Sequence, residues 1–267
     1  MKKFLKDYFV LQVAEIKKFL RWKERLLWDL MGSVTFFIAF VFVWSAVFAE
    51  GFRGIGNLTR ETFVFFILSG TLLWEVIGVN LGPVSHVFVR EKYMRTSLYF
   101  FLSPASRTAF LLAKAGTSLM QILITNAFLL SLALYFFDFE FRGSILLALL
   151  VFTLTFLCFY GLGVCIAALG AWREGIADFS WMFSNILSIL SGVWYPVEIF
   201  PEPLRSISKS LPTTQAIEML RKIGIQGSGL QEMLPELTFL GFLAFLFLLL
   251  GYLVFRAVEG RAMLIGI

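Results

Sequence analysis

Charge is scarce in this sequence, and histidine and cysteine are scarcer still. Of 267 residues, 15% are charged, one is histidine (His86) and two are cysteine (Cys158 and Cys165). With 59% hydrophobic residues and a mean hydropathy of +0.83, the chain falls outside the composition of soluble domains and reads as an integral membrane protein. A lone histidine without a G-x-S-x-G elbow argues against an intramembrane hydrolase, and no metal-ligand cluster is visible. The phosphate-cradling pattern G-x-x-x-x-G-K-[ST] is also missing, so the chain is not expected to hydrolyse ATP itself. The two cysteines lie seven apart on one face of a single apolar run, where thiols behave as small apolar residues more often than as ligands or disulfide partners. The charged stretch of nearly thirty N-terminal residues is unlike a cleavable signal peptide.

What the chain has in abundance is long apolar runs. A helix needs about 20 apolar residues to cross the hydrocarbon core. Intervals between charged residues predict six spans, over residues 30–49, 62–89, 108–137, 143–172, 177–197 and 236–256. Six spans put both termini on one side. Of the 23 Lys and Arg residues, 16 fall on the side of the N terminus, so the termini are expected in the cytoplasm of a cell-membrane protein. The net charge of +5 is thereby a topology signal, and nucleic acid is not an expected partner.

Residues 1–27 read as an amphipathic helix, with Lys3, Lys6, Lys17, Lys18 and Arg21 on one side and Phe4, Tyr8, Phe9, Ile16 and Phe19 on the other. Such a helix lies in the membrane interface, or else packs as an ordinary helix on protein. A second short, basic, partly apolar stretch occupies residues 90–107, between two spans, and has the character of a cytoplasmic docking helix. The second span carries Gly78-xxx-Gly82 and then Pro83, which predicts an interrupted helix, and the fourth carries Gly163, Ala167 and Ala171 as a close-packing stripe. Five of the seven prolines fall within residues 196–236, so residues 198–235 are expected as short external or re-entrant helices. No internal repeat is evident, which weakens an inverted-repeat carrier.

Glu75 sits in the middle of the second span, where a charged carboxylate is disfavoured by about 2.5 to 3.5 kcal/mol. It reads either as a pathway or gating residue or as a neutral acid hydrogen-bonded to another helix, through Asn126 or Asn185 for example. Asn80, Gln121, Asn126 and Asn185 read first as interhelical hydrogen-bonding groups and second as substrate contacts.

Two stretches carry a resemblance. The first runs Glu91-Lys92-Tyr93-Met94-Arg95-Thr96-Ser97-Leu98, then Tyr99, Phe100 and Phe101, then Leu102-Ser103-Pro104-Ala105-Ser106-Arg107 and on to Lys114. The second runs Leu190-Ser191-Gly192-Val193-Trp194-Tyr195-Pro196, through Pro201, to Leu211-Pro212-Thr213-Thr214-Gln215-Ala216 and Arg221. Both resemble the ABC-2 type permease family of ABC transporters, with Arg95 in place of a usual glycine, Tyr99 where an acid is common and Leu211 in an asparagine position. The resemblance implies an all-α membrane subunit of six spans that pairs with a second permease, either a copy of itself as a homodimer or a homologue, and with two separate ATPase subunits, on which ATP and magnesium bind. No cofactor is implied on this chain.

The resemblance also implies that residues 90–107 form a coupling helix in a cleft of the ATPase. Within it, Phe100, Phe101 and Leu102 would be apolar anchors and Lys92 and Arg95 rim charges, beside Glu91, Thr96, Leu98, Tyr99, Ser103 and Pro104. Ser191, Gly192, Trp194, Tyr195 and Pro196 become gating candidates. The implied function is export of a hydrophobic or amphipathic substrate. The first stretch is closer to the drug-export branch than to the polysaccharide branch, whose Arg-Tyr-x-x-Thr-x-x-Gly run is absent from residues 21–32. A lipid-linked polysaccharide exporter is the alternative within the class, and an ion-coupled carrier the alternative outside it.

Overall fold

A computed structural model describes residues 2–21, 23–56, 58–93, 106–137 and 139–265. The described residues are overwhelmingly helical, and their one β-type pairing is an isolated bridge between Ile55 and Leu58. The helices are α1 (Lys2–Arg21), α2 (Lys23–Ala49), α3 (Phe63–Val79), α4 (Val87–Tyr93), α5 (Arg107–Phe136), α6 (Ile145–Trp172), α7 (Glu174–Leu190), α8 (Glu202–Ser210), α9 (Pro212–Arg221) and α10 (Leu234–Ile265). Five segments are long and apolar enough to cross a membrane: Leu26–Ala49, Phe63–Val84, Arg107–Phe136, Ile145–Trp172 and Gln231–Val258. A shorter apolar helix, Gly175–Leu190, stands where the fifth span was expected over 177–197. It stops early because Gly192 takes a left-handed φ of +64° and Pro196 follows, so the chain turns back instead of continuing as helix.

The most enclosed helix is α3, in which Val64 through Thr71 are all buried. It ends in a five-residue π-turn, Asn80–Val84, that contains Pro83. Proline removes one backbone donor and crowds the preceding turn, so a wider turn here is the expected response. The Asn80 carbonyl faces Gly163 of α6 at a distance that leaves no room for a Cβ, which is how the small-residue stripe of α6 is used. The stripe in α3 has a different use. A Cβ at Gly78 or Gly82 would meet nothing within 4 Å, so these glycines leave open space.

Helix α10 lies along α6, with Gly251 against the Gly161 carbonyl and Gly161 against the backbone of Phe247 and Leu248. Helix α1 lies along α5. The α1 face away from α5 exposes Leu5, Phe9, Val10, Val13 and Leu20, the pattern of a helix resting in a membrane interface. Short helices α8 and α9 each begin with proline in the first turn and fold back against the ends of α7 and α3.

Candidate functional site

Two cavities lie side by side, and Asp29, Val79, Pro83 and Gln121 form walls of both. The first, about 370 Å³, is enclosed by α1, α2, α5 and the Pro83 end of the second span, with Lys18, Arg90 and Lys114 at its rim beside Glu15 and Asp29. Its charges are organised into a chain of ion pairs. Lys114 Nζ lies 2.6 Å from Glu15 Oε2 and 3.8 Å from Glu91 Oε1, and Lys18 Nζ lies 2.7 Å from Glu91 Oε1. Three helices, α1, α4 and α5, are thereby tied together immediately before residue 94.

Further bonds fasten α1 to the start of α5. The backbone N–H of Ser106 donates to Asp7 Oδ2 at 3.1 Å, while Ser106 Oγ caps α5 by accepting from Ala109 N–H. Gln12 Nε2 donates to Thr117 Oγ1 at 3.5 Å, and Gln12 sits against Gly116, where a larger side chain would displace it.

The second cavity, about 390 Å³, is walled by α2, α3, α7 and the turn after α7. Four of the chain's seven tryptophans line it: Trp28, Trp74, Trp181 and Trp194. Phe36 and the flat surfaces of Gly32 and Gly78 complete the wall. Glu75 and Asp29 supply its carboxylates. The Ser33 hydroxyl lies within hydrogen-bond reach of the Glu75 carboxylate and of the Asp29 backbone carbonyl, the latter at 3.0 Å, and with one hydrogen it donates to one of them at a time. Gln121 Nε2 donates to Asp29 Oδ2 at 2.9 Å. Among the described residues, no Lys, Arg or His pairs with Glu75.

The partner of Glu75 is therefore Ser33, not Asn126 or Asn185. Asn126 donates across to the Leu72 carbonyl at 3.1 Å and joins α5 to α3. Asn80 is fully buried and donates to Val76 O at 2.7 Å, within its own helix. Asn185 is exposed and donates to Trp181 O at 2.9 Å, again within its own helix. Of the four amides, Gln121 and Asn126 thus make the interhelical bonds and Gln121 alone reaches the cavity.

The turn after α7 gathers the remaining candidates. Ser191 Oγ pairs with Thr213 Oγ1 at the start of α9, and Tyr195 donates its hydroxyl hydrogen to Ile189 O. The Trp194 ring stacks on Phe40 with centroids 5.0 Å apart and on Phe36 at 5.7 Å, while its carbonyl accepts from Trp44 Nε1 at 2.8 Å. Pro196 is buried and opens the short 3₁₀ turn Val197–Ile199.

The residue that holds this turn is Arg221, which sequence reasoning noted only as the end of a motif. It is 2% exposed, and its guanidinium lies 3.4 Å over the Phe66 ring. One terminal nitrogen, with two hydrogens to donate, lies within hydrogen-bond reach of Gly192 O (2.9 Å), Val193 O (2.8 Å) and Phe66 O (3.2 Å), joining α9, α3 and the turn. Burial pushes its pKa down to about 9, opposed by the nearby Glu218 and Glu198 carboxylates, so it stays charged at neutral pH. An arginine at the close of a short helix whose Ala216, Ile217, Met219 and Leu220 are apolar was the available signal.

Among the coupling candidates, Glu91 takes part in the ion-pair chain. Lys92 belongs to α4, and nothing is described of its side chain. Arg95, Thr96, Leu98, Tyr99, Phe100, Phe101, Leu102, Ser103 and Pro104 lie outside the described residues.

Comparison with known proteins bears on the same elements. The chain is 26% identical over 208 residues to the putative transport permease YvfS of Bacillus subtilis (strain 168), covering 75% of this chain and 78% of that protein. It is 21% identical over 209 residues to nodulation protein J of Sinorhizobium fredii (strain NBRC 101917 / NGR234), covering 77% of each. Residues 56–253 match the family described as ABC-2 family transporter protein, a stretch that includes Glu91, Lys114, the Arg221 turn and the α3, α5 and α7 walls of the tryptophan cavity, while its Trp28–Phe36 wall lies before the match. With that match spanning most of its length, this multi-pass membrane chain belongs to the ABC-2 family of transporter permeases.

Proposed function

We propose that the protein is the membrane subunit of an ATP-driven exporter that moves a hydrophobic or amphipathic substrate out of the cytoplasm. Two copies pair around the route, and two separate ATPase subunits energise it. The observation that carries this reading is the family match over residues 56–253, in a sequence that has no phosphate-binding loop of its own. A membrane subunit of this kind needs a rigid handle for its motor. The ion pairs among Glu15, Lys18, Glu91 and Lys114 brace the helices on either side of residues 94–105, which supports those residues as the handle. The Lys and Arg distribution supports placing both termini and that handle in the cytoplasm, with six spans and the Arg221 turn on the far side.

The test uses the tagged full chain expressed from its native locus. It is expected to copurify with a subunit that carries a phosphate-binding loop, and the reconstituted pair should transport only with ATP. Arg95→Glu is expected to lower transport-coupled ATPase activity by about tenfold, the scale of one lost charge-assisted contact. Unchanged coupling would remove Arg95 from the handle. Transport driven by an ion gradient without ATP would instead support a carrier and overturn the exporter reading.

A further inference from the structure

We propose that the tryptophan-walled cavity is a binding site for a lipophilic organic cation, a quaternary ammonium or phosphonium-like group with a bulky apolar body. This deepens, and rests on, the exporter reading. Four indoles, Trp28, Trp74, Trp181 and Trp194, meet two carboxylates, Asp29 and Glu75, around one cavity of about 390 Å³. Indole faces attract cations, most strongly where water is excluded, and they accept apolar groups of any shape. Among the described residues, no Lys, Arg or His lines the same cavity.

The ammonium groups of Lys18 and Lys114, in the adjoining cavity, are engaged by Glu91 and Glu15. A carboxylate at membrane depth whose hydrogen-bond partner among the described residues is a serine hydroxyl is costly, and an incoming cation offsets that cost. The volume falls in the ordinary range for small-molecule sites. Trp28 and Trp181 are 77% and 68% exposed, so the cavity opens sideways from the chain, where an apolar ion can enter without crossing the protein.

The discriminating pair of probes is tetraphenylphosphonium and tetraphenylborate, which share size and shape and differ in sign of charge. Equilibrium binding of each is measured on the purified full chain in phosphatidylcholine nanodiscs, with empty discs subtracted. The phosphonium ion is expected to bind saturably and the borate not to compete with it. Glu75→Gln and Asp29→Asn should each weaken phosphonium binding about tenfold, and Trp181→Ala about fivefold, within the span of charge pairs and cation–π contacts.

Because Trp181 is exposed and Asp29 lies near the end of its helix, those two variants keep the test decisive if Glu75→Gln misfolds. Equal binding of both ions, or phosphonium affinity indifferent to loss of the carboxylates, overturns the proposal. Indifference to both ions combined with loss of the dimer in Trp181→Ala would identify the groove as a subunit seam, and overturns it too. The measurement needs no ATPase. Its failure therefore leaves copurification with an ATP-binding partner standing, and failure of that copurification leaves the binding result standing.

Discussion

Arg221 concentrates at one residue what holds the turn after α7 in place. Three backbone carbonyls from two separate segments converge on its guanidinium, and the Phe66 ring closes the remaining face. Removing it strands carbonyls that water cannot reach, so Arg221→Met is expected to destabilise the chain by about 2 to 4 kcal/mol. Arg221→Lys keeps the charge but not the planar fork, and should recover less than half of that loss. Thermal unfolding in detergent micelles reads both, and an unchanged midpoint for Arg221→Met would mean that the turn is held by other contacts. Little of this was legible beforehand. Arg221 is separated from Gly192 by 29 positions and from Phe66 by 155, and no periodicity links residues so far apart. Glu75 was legible as an anomaly because a charge inside an apolar run stands out on one line of sequence. Its partner Ser33 was not, since serines in spans are common and most bond their own helix, as Thr71 and Ser85 do here.

At the scale of elements, apolar runs bounded by charge identified the long helices well, because burial in lipid leaves few alternatives to helix. The interruption near Pro83 followed from proline chemistry, and it takes the form of a π-turn over Asn80–Val84. The early stop of α7 at Leu190 was hidden, since the apolar run continues through Val193, Trp194 and Val197 and the left-handed Gly192, with Pro196 after it, is what ends the helix. The bracing of α1 against α5 was also hidden. Hydropathy placed Lys18 on a solvated basic face, whereas it pairs with Glu91, and its neighbour Glu15 pairs with the buried Lys114. Breaking such a pair from one side leaves a charge without compensation. Lys114→Met is therefore expected to cost more stability than the double change Lys114→Met with Glu15→Gln. A double-mutant cycle should return a coupling of at least about 1 kcal/mol. Strict additivity would show that α1 is held by its apolar contacts alone.

For the whole molecule, the family match takes in α3 to α9, most of α10 and the Arg221 turn, and the chain adds α1 and α2 to close the two cavities. The proposed assembly of two permeases with two ATPases is checked by mass photometry of the copurified complex, which should contain two chains of 30.4 kDa. A complex with a single copy would remove the paired route. The cavities bear on how such a route operates. Val79 and Pro83 belong to the walls of both, and the π-turn Asn80–Val84 starts directly after Val79 and contains Pro83. The second span thus acts as a partition between two chambers. Any tilt of that partition about the turn enlarges one chamber at the expense of the other. A displacement of Val79 and Pro83 toward one chamber is a displacement away from the other.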